Sequence, residues 1–108
     1  MKRKDRLEIY NRAENLWGEV AQYDQLVEEM GELIVAVNKY KRKCLYGEFK
    51  NNPKIEENLI EELADVKMCL EQICIYMGED KVDKMLNKKL QKLQNLINIM
   101  EMEKREQN

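Results

Sequence analysis

Two eight-residue stretches share one pattern of apolar and acidic residues, and the pair constrains the fold more than any other feature of the chain. Leu26-Val27-Glu28-Glu29-Met30-Gly31-Glu32-Leu33 is answered 33 residues later by Leu59-Ile60-Glu61-Glu62-Leu63-Ala64-Asp65-Val66. Both read apolar, apolar, acid, acid, apolar, small, acid, apolar. Neither holds a helix breaker beyond Gly31, so each sits inside an amphipathic helix. At about 100° per residue, Glu29 and Glu32 fall on one flank of the stripe Leu26, Met30, Leu33, Val37. Glu62 and Asp65 fall on the same flank of Leu59, Leu63, Val66, Leu70. Packing the two stripes together brings four carboxylates to the joint, where they repel one another and take up protons unless a cation holds them ionised.

The remaining periodicity is also helical. A first segment, about Lys4 to Trp17, carries Ile9, Tyr10, Ala13, Leu16 and Trp17 on one modest apolar face, and Gly18 breaks it. A second runs from about Glu19 to Tyr46 and ends at Gly47. Its apolar spacings alternate four and three, as in a helix–helix seam. Residues 48–54 form the one clear loop, in which Asn52-Pro53 supplies a cap and a proline at the first helical position. The third helix runs from about Pro53 to Met77 and stops at Gly78. The fourth opens near Asp80 and Asp83 with the stripe Leu86, Leu90, Leu93, Ile97, Met100, and the polar residues 101–108 are expected to fray. No strand-like alternation occurs. The reading is all-α: one domain over residues 1–108, an antiparallel four-helix bundle-like protomer.

Apolar residues outside the main stripes, Val27, Ile34 and Val35 on the second helix and Ile60, Met68 and Ile75 on the third, exceed what one small bundle covers. They point to a homodimer or a dimer of dimers, with coverage by the short first helix as the alternative. The formal charge of −2 over 108 residues argues for neither nucleic acid nor a membrane surface. Basic residues nonetheless cluster at 2–6, 39–43 and 81–92. No apolar run approaches the roughly 20 residues of a membrane span, and the basic N-terminus lacks the apolar core of a secretory signal. Cys44, Cys69 and Cys74 are odd in number and form no C-x-x-C pair, which suits reduced thiols in the cytoplasm.

Acid-rich helix faces are ordinarily solvated. Here the motif is doubled, and in each copy two acids border the apolar stripe. No Lys or Arg shares the flank beside Glu29 and Glu32. Ala36 stands there, and Cys69 stands in the equivalent place on the third helix, so there is room for an ion and a ligand. The chain has no histidine, and its cysteines are not spaced as a metal set, which disfavours zinc. An all-oxygen site suits Mg²⁺, with Mn²⁺ as the alternative, and Mg²⁺ prefers to be shared with substrate phosphates. Without histidine, a water is activated by the metal, by a spare carboxylate such as Glu28 or Glu61, or by both.

Glu28-Glu29-x-x-Glu32 followed by Glu62-x-x-Asp65 resembles the E-E-x-x-E…E-x-x-D signature of the all-α nucleoside triphosphate pyrophosphohydrolases, the MazG-like proteins. Trp17-Gly18 leading into Gln22 and Gln25 is similar too, and the resemblance spans about Trp17 to Leu93. It implies Mg²⁺-dependent cleavage of an NTP or dNTP between the α- and β-phosphates, giving a monophosphate and pyrophosphate. By the resemblance, Glu29, Glu32, Glu62 and Asp65 match metal-binding positions and Glu28 the extra acid that opens the motif. Dimers or paired dimers are implied as well. Lys89 and Lys92 stand where the family tends to place phosphate-holding basic residues, although lysine lacks the fork of the more usual arginine. Gln22 lies two turns before Glu29 at nearly the same angle, within reach of a bound nucleotide, and Trp17 or Tyr46 offers a ring to stack on a base. Two alternatives stay open: a related pyrophosphohydrolase of another substrate, such as phosphoribosyl-ATP, and a non-catalytic helical interaction module.

Overall fold

Helix boundaries fall at the punctuation residues in the computed structural model, which describes residues 1–107. Four helices make up the described chain: α1 Arg3–Trp17, α2 Glu19–Tyr46, α3 Lys54–Met77 and α4 Glu79–Gln107. Gly18 turns α1 into α2 with φ +85°, a region that L side chains avoid. Its N–H still closes the last turn of α1 on Glu14 O at 2.8 Å. Gly47 caps α2 in the left-handed conformation, φ +69°. Asn52 Oδ1 accepts the Lys54 N–H at 3.1 Å, the expected cap of α3. At the other end, α4 continues through Gln107, further than the polar residues 101–107 suggest. Glu, Lys, Arg, Gln and Met are good helix formers, and Lys104 and Arg105 in the last turn suit the helix dipole. Asn108 lies outside the described residues.

The chain divides into two compact units, Met1–Ile73 and one beginning at Cys74. All four helices accord with the all-α reading. No residue of α4 is buried, and its stripe Leu86, Leu90, Leu93, Ile97 and Met100 is about half exposed. Among the described residues, no helix is long and apolar enough to cross a membrane.

In the first unit, α2 and α3 are antiparallel. Lys43 near the end of α2 pairs with Glu56 near the start of α3 at 2.8 Å, while the earlier Glu29 of α2 meets the later Glu62 and Asp65. Of the expected stripes, Leu26, Leu33, Leu59 and Val66 are partly buried, whereas Met30, Val37, Leu63 and Leu70 are not, and the residue before each of these four lies nearer the seam. Gln22, Ala36, Cys69 and Gln72 are buried, and Leu26, Glu29, Leu33, Glu62 and Val66 are partly so. Met30, Val37, Leu63 and Leu70 remain exposed. Each of these four directly follows a seam residue, Glu29, Ala36, Glu62 or Cys69, and so stands about 100° round its helix in the same sense. In an antiparallel pair, equal rotations by residue number bring both helices' residues to the same side. With Val27, Ile34 and Ile60, also exposed, they make one apolar slab.

Helix α1 covers the opposite side. Arg6 reaches Glu71 of α3 with Nε to Oε1 at 2.8 Å and Nη2 to Oε2 at 3.3 Å. The Tyr10 hydroxyl donates to the same Oε1 at 2.7 Å. Tyr10, Ala36 and Cys69 are the only buried hydrophobic residues among those described. This is a thin core for a chain with so much Leu, Ile, Val and Met.

Candidate metal centre and adjoining cleft

The doubled acidic motif places its carboxylates in and beside the α2–α3 seam. Glu29, Glu32, Glu62 and Asp65 each offer one oxygen, and these oxygens all lie within 4.8 Å of one another. Glu29 and Glu62 occupy seam positions because Ala36 and Cys69, one heptad on, are small and let the acids share the joint. Glu32 and Asp65 follow three residues later in each helix, about 60° back toward the side that α1 covers. Glu32 is exposed and the other three are half-buried.

Two oxygens in the cluster are orphaned. Glu29 Oε2 and Glu62 Oε2 are buried and have no hydrogen-bond partner. A buried carboxylate oxygen without a partner carries its full desolvation cost. Glu29 Oε1, by contrast, accepts a hydrogen bond from Gln25 Nε2 at 2.7 Å. Burial raises the Glu29 carboxyl above its ordinary value. Gln25 opposes this, and the neighbouring Glu32 and Asp65 add to it. The Cys69 thiol is pushed up as well, first by burial and then by Glu29 and Asp65. The donor set is all oxygen, its geometry converges, and two of its oxygens lack partners. These residues fit a hard divalent cation such as Mg²⁺ or Mn²⁺.

A cleft of about 440 Å³ adjoins the cluster. Its walls include Ile9, Ala13 and Trp17 of α1, Gln22 and Gln25 of α2, and Cys69 of α3. Gln25 and Cys69 belong to both places, since the first bonds Glu29 and the second feels the charge of Glu29 and Asp65. The cleft is largely apolar, with three amides, Gln22, Gln25 and Gln72, placed to give direction to a ligand, the usual make-up of a small-molecule site.

Most of the expected site residues meet here. The four expected metal ligands form the cluster, and Gln22 and Trp17 line the cleft, Gln22 buried and Trp17 exposed. Glu28 and Glu61 are exposed on the same two helices and stand outside the group of four. Lys89 and Lys92 are exposed on α4, in the unit that begins at Cys74. Tyr46, the other ring considered for base stacking, is exposed near the end of α2 and does not line the cleft.

Sequence reading missed Gln72 and the Arg6–Tyr10–Glu71 anchor. Gln72 is 5% exposed and lines the cleft, yet an isolated glutamine on a helix reads as solvated. The anchor joins residues 65 and 61 apart in the chain, so no local periodicity announces it. The one available signal was the apolar face of α1, which needed a helix to lie on. No protein-family model matches the chain, and no curated protein or solved structure matches it.

Proposed function

We propose that the chain is a divalent-metal-dependent nucleoside triphosphate pyrophosphohydrolase, cutting an NTP or dNTP between its α- and β-phosphates. The observation that carries this reading is the convergence of Glu29, Glu32, Glu62 and Asp65, with two buried oxygens unpartnered, beside a cleft that can take a ring. The E-E-x-x-E…E-x-x-D pattern of the same residues in the sequence supports the same reading.

In this reading the four carboxylates hold Mg²⁺, or Mn²⁺ in its place, and the nucleoside lies in the cleft against Trp17 and Gln22. Bound metal supplies Lewis-acid polarisation of the phosphates and lowers the pKa of water. Glu28 or Glu61 accepts the proton of the attacking water. A new P–O bond forms to the water oxygen while the α–β anhydride bond breaks, releasing a monophosphate and pyrophosphate. The cysteines are free thiols, which suits the cytoplasm.

The functional unit in this proposal is a homodimer or a pair of dimers. Its support is the exposed slab of Val27, Met30, Ile34, Val37, Ile60, Leu63 and Leu70 on the side of the α2–α3 pair opposite α1. A second copy laid on that slab completes a four-helix bundle from the two α2–α3 pairs and leaves the acidic cluster and the adjoining cleft open. The same slab also favours a second reading, a non-catalytic module that binds a partner helix. That reading predicts no stabilisation by Mg²⁺, whereas a metal site raises the melting temperature by mass action.

The deciding experiment incubates purified protein with each NTP and dNTP, and with phosphoribosyl-ATP, in the presence and absence of Mg²⁺. The expected products are the monophosphate and pyrophosphate, formed only with metal. Release of orthophosphate overturns the bond assignment, and preference for phosphoribosyl-ATP reassigns the substrate.

A further inference from the structure

We propose that Gln25 is a positioning residue for the metal centre, fixing the rotamer of Glu29 and thereby the direction of its free oxygen. The inference rests on the metal reading above and adds a residue to which that reading gives no role. Gln25 stands four residues before Glu29, the spacing at which helix side chains meet. Its Nε2 donates to Glu29 Oε1 at 2.7 Å. With one oxygen so held, the other, Oε2, is turned into the buried part of the cluster, where it has no partner. A glutamate on an open helix face samples several rotamers. Four ligand oxygens within 4.8 Å require it to keep one. The amide also suits the task because it is neutral: a lysine there would offer a competing positive charge, and a carboxylate would add repulsion. Groups that hold metal ligands in this way are worth about 10- to 100-fold in metal affinity.

Gln25 has a second contact surface. It lines the cleft together with Trp17 and Gln22, so a molecule seated there touches the residue that aims Glu29. The equivalent position on α3, four before Glu62, is Asn58, one methylene shorter. The Glu29 arm is thus the one tied to the cleft.

The test is a Mn²⁺ titration followed by electron paramagnetic resonance on the full chain, wild type against Gln25→Met and Gln25→Ala. Methionine keeps the length of the side chain and removes the donor. Circular dichroism and metal-free melting are recorded for each protein. The expected result is Mn²⁺ binding about 10-fold weaker or worse in both variants, with helix content and metal-free melting unchanged. Wild-type affinity in both variants overturns the positioning role and leaves the carboxylate site standing. Loss of affinity accompanied in both by loss of helix content assigns Gln25 a structural role instead and also overturns it. Absence of Mn²⁺ binding by the wild type removes the metal reading and this inference together.

Discussion

Glu29 of α2 and Glu62 of α3 bring carboxylate oxygens within 4.8 Å of each other while each keeps its Oε2 buried and unpartnered. The two occupy matching places in the seam, one heptad before Ala36 and Cys69 respectively. Like charges at such a distance oppose folding in the absence of a cation, so the metal-free protein bears a cost at the place where the proposed enzyme does its work.

That cost has a pH signature. The Glu29 carboxyl is raised in the fold, so between its unfolded and folded values the folded protein holds more protons than the unfolded one. Stability therefore falls as pH rises through the folded value of Glu29. Glu71 has the opposite sign: Arg6 first and Tyr10 second lower its carboxyl. Its contribution is present above the unfolded value and is lost as pH falls through the folded one. Thermal melts of metal-free protein across the acidic-to-neutral range are expected to show a decline above the unfolded carboxyl value that Glu29→Gln flattens. The same variant melts higher than wild type without metal and no longer responds to Mg²⁺. An unchanged slope in Glu29→Gln contradicts the account.

Anchorage of α1 is a separate matter from metal binding. Tyr10 is pushed up to about 12, by burial first and by its bond to Glu71 second. It therefore donates throughout the working range. Tyr10→Phe is expected to cost about 1 kcal/mol, the usual loss for one part-exposed hydrogen bond. Arg6→Ala is expected to loosen α1 and with it the wall of the cleft. Hydrogen exchange checks this directly: amides of α1 exchange faster in Arg6→Ala, while those around Glu62 in α3 stay protected. Equal protection of α1 in the variant and the wild type shows that the ion pair does not hold the helix.

Assembly through the slab predicts sensitivity to charge there. Ile34→Glu and Leu63→Glu each place a carboxylate on an apolar surface that the proposed dimer covers. Light scattering on a sizing column is expected to show both variants at the protomer mass of 13.0 kDa and the wild type at a multiple of it. Wild-type protein running at the protomer mass contradicts the dimer. Gly31, on the other hand, has open space where a Cβ would stand. Gly31→Ala is expected to stabilise the helix by about 1 kcal/mol, read as a raised unfolding midpoint in urea.

Much of this was legible in the chain because the signals are local. Gly18, Gly47, Asn52-Pro53 and Gly78 mark the helix ends through backbone chemistry that needs no partner. The acids came together as expected because both copies of the motif carry them at the same angular offset. Periodicity placed Leu26, Leu33, Leu59 and Val66 correctly but misplaced half of each stripe by one residue. Hydrophobicity alone assigns the joint to Met30 and Leu63, yet it is Glu29 and Glu62 that occupy it, with Met30 and Leu63 left for the slab. A joint that mixes Gln22, Glu29, Glu62 and Gln72 with Leu26, Leu33 and Val66, while Met30 and Leu63 stay outside, departs from the rule on which such readings depend. The anchor of Arg6 and Tyr10 on Glu71 was out of reach for a different reason: it is a tertiary contact in which Arg6 and Glu71 look like surface charges when read singly and Tyr10 reads only as part of an apolar face.

The central claim is that the twinned acids chelate a divalent ion. Calorimetric titration of Mg²⁺ into wild type and Asp65→Asn, with and without a nonhydrolysable dNTP, tests it most directly. The account predicts saturable binding by the wild type, tightened by the nucleotide. It also predicts loss in Asp65→Asn larger than the roughly 10- to 100-fold that follows removal of a merely orienting group, with helix content intact. No binding heat from the wild type in either condition, or equal affinity in Asp65→Asn, contradicts it.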